Sequence, residues 1–225
     1  MERLIQEIPT FFSIWNIIFL LKAMVITFLL SSIGCFVGFS FGATLAILRK
    51  TKASLLVPIR LIIIVYTEIF RRVPFLVSLL LIFYIFQIAD ITDSLFIIAI
   101  VTICLISTAF IGEIIRSGLE SINQTQWDAA TAMNFSYYAT LKEIIFPQAL
   151  KVIIPPSFSF FILFIKDTAL ASQIGVMELT FAGKILNNKG FSPILVFGTI
   201  LILYFVLSFP LDRFGKYIER KIGSN

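Results

Sequence analysis

Two short stretches, Thr67-Glu68-Ile69-Phe70-Arg71-Arg72 and Lys166-Asp167-Thr168, place ionisable groups inside or beside long apolar runs. A charge at the centre of a bilayer costs about 2.5–3.5 kcal/mol on insertion scales, so such groups pair with each other, reach water or meet a polar cargo. Glu68 precedes Arg71 and Arg72 by three and four residues. One helical turn can therefore pair the carboxylate with either guanidinium. Two readings stand: a structural pair at a bent span, and direct contact of Glu68 and Arg71 with a substrate. Further along, Phe160, Leu163 and Asp167 fall at i, i+3 and i+7 and share a helix face. Asp167 and Thr168 either serve such a polar contact or merely fix the end of that helix.

Other chemistries are disfavoured by what is missing. The chain has no histidine, which removes the commonest general base and the commonest metal ligand. Cys35 and Cys104 lie in uncharged runs without metal-ligand spacing and read as small apolar packing residues. No catalytic residue, metal or cofactor is expected, and no nucleic-acid partner. The Gly-Lys pairs at 183–184 and 215–216 lack the remainder of a phosphate-binding loop. An energy source, if there is one, must sit on a separate subunit.

The elements that position these groups belong in lipid. Of 225 residues 59% are hydrophobic and 14% charged, against about 45–50% and 25% in soluble domains. Uncharged runs occur at Ala23–Leu48, Val73–Ala89, Ser94–Gly112 and Gly190–Leu211, with a shorter one at Val152–Ile165. Residues 53–69 are apolar apart from Arg60 and Glu68, and Arg71-Arg72-Val73-Pro74 separates them from the second run. Two crossings there would make six spans and export the basic tail Arg213, Lys216, Arg220 and Lys221, against the positive-inside bias. Residues 53–89 are therefore read as one crossing bent at Pro74. The expected fold is all-α: a polytopic membrane protein of five transmembrane helices, amino terminus out and carboxyl terminus in, and a single domain over residues 1–225. Met1 to Phe12 lack the features of a signal peptide and read as an interfacial helix.

Between spans three and four lie roughly thirty residues, too many for a plain loop. Thr125–Met133 reads as a short helix with Ala129-Ala130 as a small exposed face. Asn134 suits a left-handed cap at its end. Ser136 can cap a second short helix that ends before Pro147. Together they form a knob in the cytosol whose paired alanines let a partner backbone approach. An amphipathic hairpin lying on the membrane surface is the plainer reading.

The pattern Asp128-Ala129-Ala130, three residues, Asn134, then Ile145-Phe146-Pro147 resembles the EAA motif of ABC-transporter membrane subunits. With Arg71-Arg72-Val73-Pro74, Glu113-Ile-Ile-Arg116-Ser-Gly118, Pro155-Pro156 and Lys166-Asp167-Thr168, the chain resembles the polar amino-acid permeases of the MetI-like group. The resemblance implies a permease of the bacterial inner membrane, not itself an enzyme. It carries coupling to an ATP-binding ABC subunit onto Gln126, Asp128, Ala129, Ala130, Asn134 and Pro147, within cytoplasmic coupling helices. It also implies an extracytoplasmic solute-binding protein, and a second permease copy or a paralogue to complete the path. The implied cargo is a polar amino acid of the glutamine kind. Asp167 would suit its ammonium, and Phe160 stands where the family commonly has Gln or Glu, which argues against a strongly cationic cargo. Asp128 and Asn134 replace the usual Glu and Gly. A passive channel or facilitator without ATP coupling is the alternative, and an intramembrane enzyme is disfavoured.

Overall fold

The structure is a computed structural model, and it describes residues 2–50 and 54–223. The described chain is helical, in the order α1 (Glu2–Phe11), α2 (Ile14–Lys50), α3 (Val57–Arg72), α4 (Phe75–Ile88) and α5 (Leu95–Glu120). It continues through α6 (Gln124–Ala132), α7 (Tyr137–Ala139), α8 (Phe146–Asp167), α9 (Leu179–Asn188) and α10 (Pro193–Gly223). Among the described residues, four stretches are long and apolar enough to cross a membrane: Ile14–Lys50, Leu95–Glu120, Tyr137–Ile174 and Pro193–Ile222. The pair α3 and α4 supplies the fifth only as one broken span, bent by 115°. The break has a local cause. Val73, ahead of proline, is extended at φ −80°, ψ 134°, because the proline ring excludes the helical region for its predecessor. The crossing read from the sequence as bent at Pro74 is thus broken at Val73–Pro74, by an angle far sharper than a proline kink.

The chain folds into two compact units, each drawn from three separate stretches. One takes the chain up to Gly34, Pro74–Ile103 and Ile162–Leu211. Its core gathers Phe11, Leu20, Ala23, Leu179, Ala182, Leu186, Val196 and Ile200. Phe11 meets the Phe191 ring edge-on at 5.2 Å. Within this unit Glu178 is fully buried. As the N-cap of α9 it accepts hydrogen bonds from the Phe181 and Thr180 backbone N–H groups at 2.7 and 2.9 Å. The Tyr204 hydroxyl donates to the same carboxylate at 2.9 Å. Burial pushes the Glu178 carboxyl above the usual carboxylate range, and these donors pull the other way. Neither α9 nor its cap is anticipated by the sequence reading.

The other unit takes Cys35–Val73, Cys104–Phe161 and the chain from Asp212 onward. Here α2 and α5 approach through small residues. A Cβ on Gly38 would lie 2.8 Å from the Ser107 hydroxyl, and one on Gly42 only 2.7 Å from the Gly112 backbone nitrogen. Without a hydrophobic drive between helices in lipid, such close van der Waals contact is what holds them together. Between α7 and α8 a π-helical turn, Thr140–Ile145, keeps the helix running. The Phe146 N–H bonds to the Leu141 carbonyl, five residues back. The wider turn accommodates Pro147, whose ring would collide with the carbonyl four residues earlier in a regular helix. The second knob helix therefore does not end before Pro147; it passes into the membrane helix.

Candidate functional site

The polar connection after α5 folds largely as its cap residues dictate. The Asn123 side chain accepts from the Thr125 N–H at 3.0 Å and starts α6. At the other end Asn134 is left-handed, φ 59°. The Phe135 N–H reaches the Ala130 carbonyl at 3.0 Å and the Asn134 N–H the Thr131 carbonyl at 2.9 Å. These two bonds are a Schellman termination, which needs a residue tolerant of positive φ. Ser136 then accepts from the Ala139 N–H at 3.3 Å and starts the next helix.

The individual knob residues divide by exposure. Gln126, Asp128, Ala129, Asn134 and Pro147 are exposed. Gln126 lies 3.4 Å from the Gln148 amide, and Asp128 accepts from Gln124 at 3.1 Å. Ala130 is fully buried. The two alanines therefore do not form one exposed face: Ala129 is outward, and Ala130 lets α6 settle onto the π-helical turn. The outward surface is instead widened by Met133, Phe135, Tyr137 and Tyr138, all exposed. Trp127 stacks on Tyr137, with ring centroids 5.8 Å apart. The Lys50 ammonium, at the end of α2, sits 4.5 Å over the Trp127 ring. It also donates to the Leu119 carbonyl at 3.0 Å, so one cation ties the ends of α2 and α5 to the knob.

The charged residues of α3 part company. Glu68 pairs with Arg72, whereas Arg71 reaches Glu113 of α5 at 3.4 Å. Glu113 also binds Arg49 at 3.0 Å and Arg116 at 2.6 Å, and Arg116 bonds Glu120 as well. This five-residue cluster was not anticipated as a unit, although Glu113 is the first charge after a 19-residue uncharged run, Ser94–Gly112. Phe160 belongs to the same unit; it is buried and stacked on Phe110 at 5.2 Å. Leu163, placed on its face by the spacing, is 52% exposed. Asp167 and Thr168 belong to the first unit; Asp167 is half-buried, and the buried Thr168 hydroxyl donates to the Ile165 carbonyl at 2.7 Å. Among the described residues no cluster of three or more His, Cys, Asp or Glu is arranged to hold a metal ion.

Comparison with known proteins gives this architecture a family. The model of the binding-protein-dependent transport system inner membrane component matches residues 38–224. The L-cystine transport system permease protein TcyB of Bacillus subtilis is 35% identical over 82% of this chain and 80% of its own. A probable glutamine ABC transporter permease protein of the same organism, GlnP, is 31% identical over 91% and 94%. Among solved structures, an amino acid ABC transporter crystallised with histidines superposes with a TM-score of 0.83 at 26% identity, over 90% of this chain and 94% of that one. The chain thus belongs to the family of binding-protein-dependent transport system inner membrane components, the multi-pass inner-membrane subunits of ABC importers, which leave ATP hydrolysis to a separate subunit.

Proposed function

We propose that the chain forms the translocation path of an ATP-driven importer for a polar amino acid, with α6 and its corner as the docking point for the ATPase subunit. The observation that carries this is the knob itself. Asp128 and Ala129 are exposed on a short helix, Asn134 turns the chain sharply, and Met133, Phe135 and Tyr138 add an apolar surface beside them. An exposed apolar patch with polar edges is the mark of a protein contact. Arg49–Lys50, this knob and the tail after Arg213 then lie in the cytosol, and Asp90–Asp93 and Lys184–Lys189 outside, with the amino terminus out. An extracytoplasmic binding protein delivers the cargo, and a second copy or a paralogue closes the path.

Relatives named for cystine and glutamine support an amino-acid cargo. Phe160, buried against Phe110, offers no carboxylate to a basic side chain, which favours a neutral polar amino acid of the glutamine kind. Asp167 is the candidate partner of the cargo's ammonium. Uptake of a panel of labelled amino acids in a strain lacking this chain, with and without its restoration, tests the reading. Restored uptake of a neutral polar amino acid is expected, with Asp167→Asn raising KM at unchanged abundance and Phe160→Glu shifting preference toward basic cargo. Identical uptake of every amino acid in both strains contradicts it.

A further inference from the structure

Beyond its apolar run α10 keeps winding for roughly three turns, from Asp212 to Gly223. One face of this tail is turned inward. Gly215 is buried, and a Cβ there would lie 3.2 Å from the Phe158 side chain of α8. Ile218 and Ile222, three and seven residues on, share that face and are half-buried. The Phe214 ring meets Phe158 edge-on at 5.9 Å. These contacts fix the rotation of the helix and so decide which side chains look outward.

The outward face carries cations. Arg213, Lys216 and Arg220 recur at i, i+3 and i+7, and Lys221 borders them; all four are exposed. Phe214 and Tyr217 stand among them, 54% and 62% exposed. The two carboxylates of the stretch, Asp212 and Glu219, are seven residues apart and share one flank. Asp212 holds Lys216 there at 2.6 Å. Four cations against two carboxylates leave the face positive. Cations of this kind, just beyond a membrane span, attract anionic lipid, and aromatic rings settle at the same head-group depth.

A second observation extends the face toward hydrocarbon. Phe158, the residue on which the tail is seated, also lines an apolar cavity of about 210 Å³ with Cys35, Phe39, Ile111 and Phe161. The cavity lies among α2, α5 and α8, in the same unit as the tail. The Ser157 hydroxyl in its wall is already spent on the Ile153 carbonyl, to which it donates at 2.7 Å. A soluble anion gains nothing from such a wall, whereas an acyl chain does. We propose that a phospholipid with an anionic head group binds here, its head group on Arg213, Lys216 and Arg220 and one acyl chain in the Phe158 cavity. With the tail cytosolic, as read above, this lipid belongs to the inner leaflet.

Equilibrium binding of labelled long-chain phosphatidylglycerol to the purified transporter, permease assembled with its ATPase in a neutral detergent, tests the site. Saturable binding is expected. Long-chain phosphatidylcholine and glycerol 3-phosphate should each compete at least tenfold more weakly on the unmodified transporter, which needs no variant to fold. Lys216→Gln with Arg220→Gln should weaken binding about twenty-five-fold, at about fivefold per cation near a membrane surface. The cavity-filling Ser157→Phe should weaken it at least threefold. Equal competition by phosphatidylcholine overturns the head-group assignment, and equal competition by glycerol 3-phosphate makes the site one for a soluble anion. Wild-type binding by the double variant or by Ser157→Phe also overturns the proposal. Loss of the ATPase from the double variant, with lipid binding unchanged, assigns the basic face to that subunit instead. Labelling of Lys216→Cys by an impermeant maleimide in intact cells would overturn the inner-leaflet placement and the cytosolic reading of the tail, separately from any binding result.

Discussion

Replacing Lys50 by Met keeps the aliphatic stem and removes the cation that joins three elements. Two contacts disappear. The ammonium hydrogen bond to the Leu119 carbonyl, 3.0 Å long, is taken at about 1.5 kcal/mol, the low end for a charged donor because Lys50 is partly exposed. The contact 4.5 Å above the Trp127 ring adds about 0.5–1 kcal/mol at such a site. Together they come to about 2 kcal/mol, which is about a thirtyfold change in the ratio of clasped to released knob. The membrane helices do not depend on these contacts, so insertion and abundance should be unchanged. ATP hydrolysis and uptake measured together in proteoliposomes report the effect. Lys50→Met should lower the amount transported per ATP about tenfold or more, because a knob free to swing no longer passes the ATPase's motion to α2 and α5. Lys50→Arg should recover most of it, since a guanidinium also stacks on an indole. A wild-type ratio in Lys50→Met at equal abundance refutes the reasoning.

Ala130→Asp buries an unpaired carboxylate against the π-helical turn, a cost of several kcal/mol; co-purification should show the ATPase lost while the permease still inserts. At the corner, Asn134→Gly should be neutral and Asn134→Val should cost about 1–2 kcal/mol, since a β-branched residue resists positive φ; limited proteolysis of the knob separates the two. Gly42→Val places side-chain atoms where a Cβ already falls 2.7 Å from the Gly112 backbone, so α2 and α5 must part, and thermal unfolding in detergent should shift well below that of wild type. Glu178 gives a pH dependence. A carboxyl with a raised native pKa holds its proton more tightly folded than unfolded. Its contribution is therefore full below the ordinary value of 4.5 and is lost as pH rises through the raised one. The unfolding midpoint should fall with pH across that window, and Glu178→Gln should abolish that part of the slope.

How much of this was legible beforehand depended on whether the cause was local. The corner of the knob was legible because Asn134 and Ser136 act on backbone groups within three residues of themselves, so residue type and spacing nearly determine the turn; the Asn123 cap that starts α6 went unread. The fate of Pro147 was not, because a π-helical turn upstream absorbs it, and nothing in Thr140–Ile145 announces one. Glu68 was expected to serve Arg71 or Arg72, and spacing alone could not choose. The choice fell to Glu113 on α5, a partner 42 positions away that claims Arg71. Ala130 looked outward from composition alone, and only packing against the following turn makes it inward. Gly34, Gly38 and Gly42 recur every fourth residue, a spacing that signals close helix approach. Hydropathy located the apolar runs but not the helix ends. For example, α10 continues past its apolar run to Gly223, because a helix leaving lipid keeps its backbone bonds in water.

The central claim is that the path opens only under the drive of a separate ATPase docked on the knob. Proteoliposomes holding the permease and its ATPase, with binding protein and labelled amino acid outside, test it when ATP is supplied or withheld inside. Accumulation against a gradient with ATP, none without it, and none in Ala130→Asp is the predicted result. Equilibration of the amino acid across the membrane at the same rate with and without ATP would make the chain a passive facilitator and contradict the account.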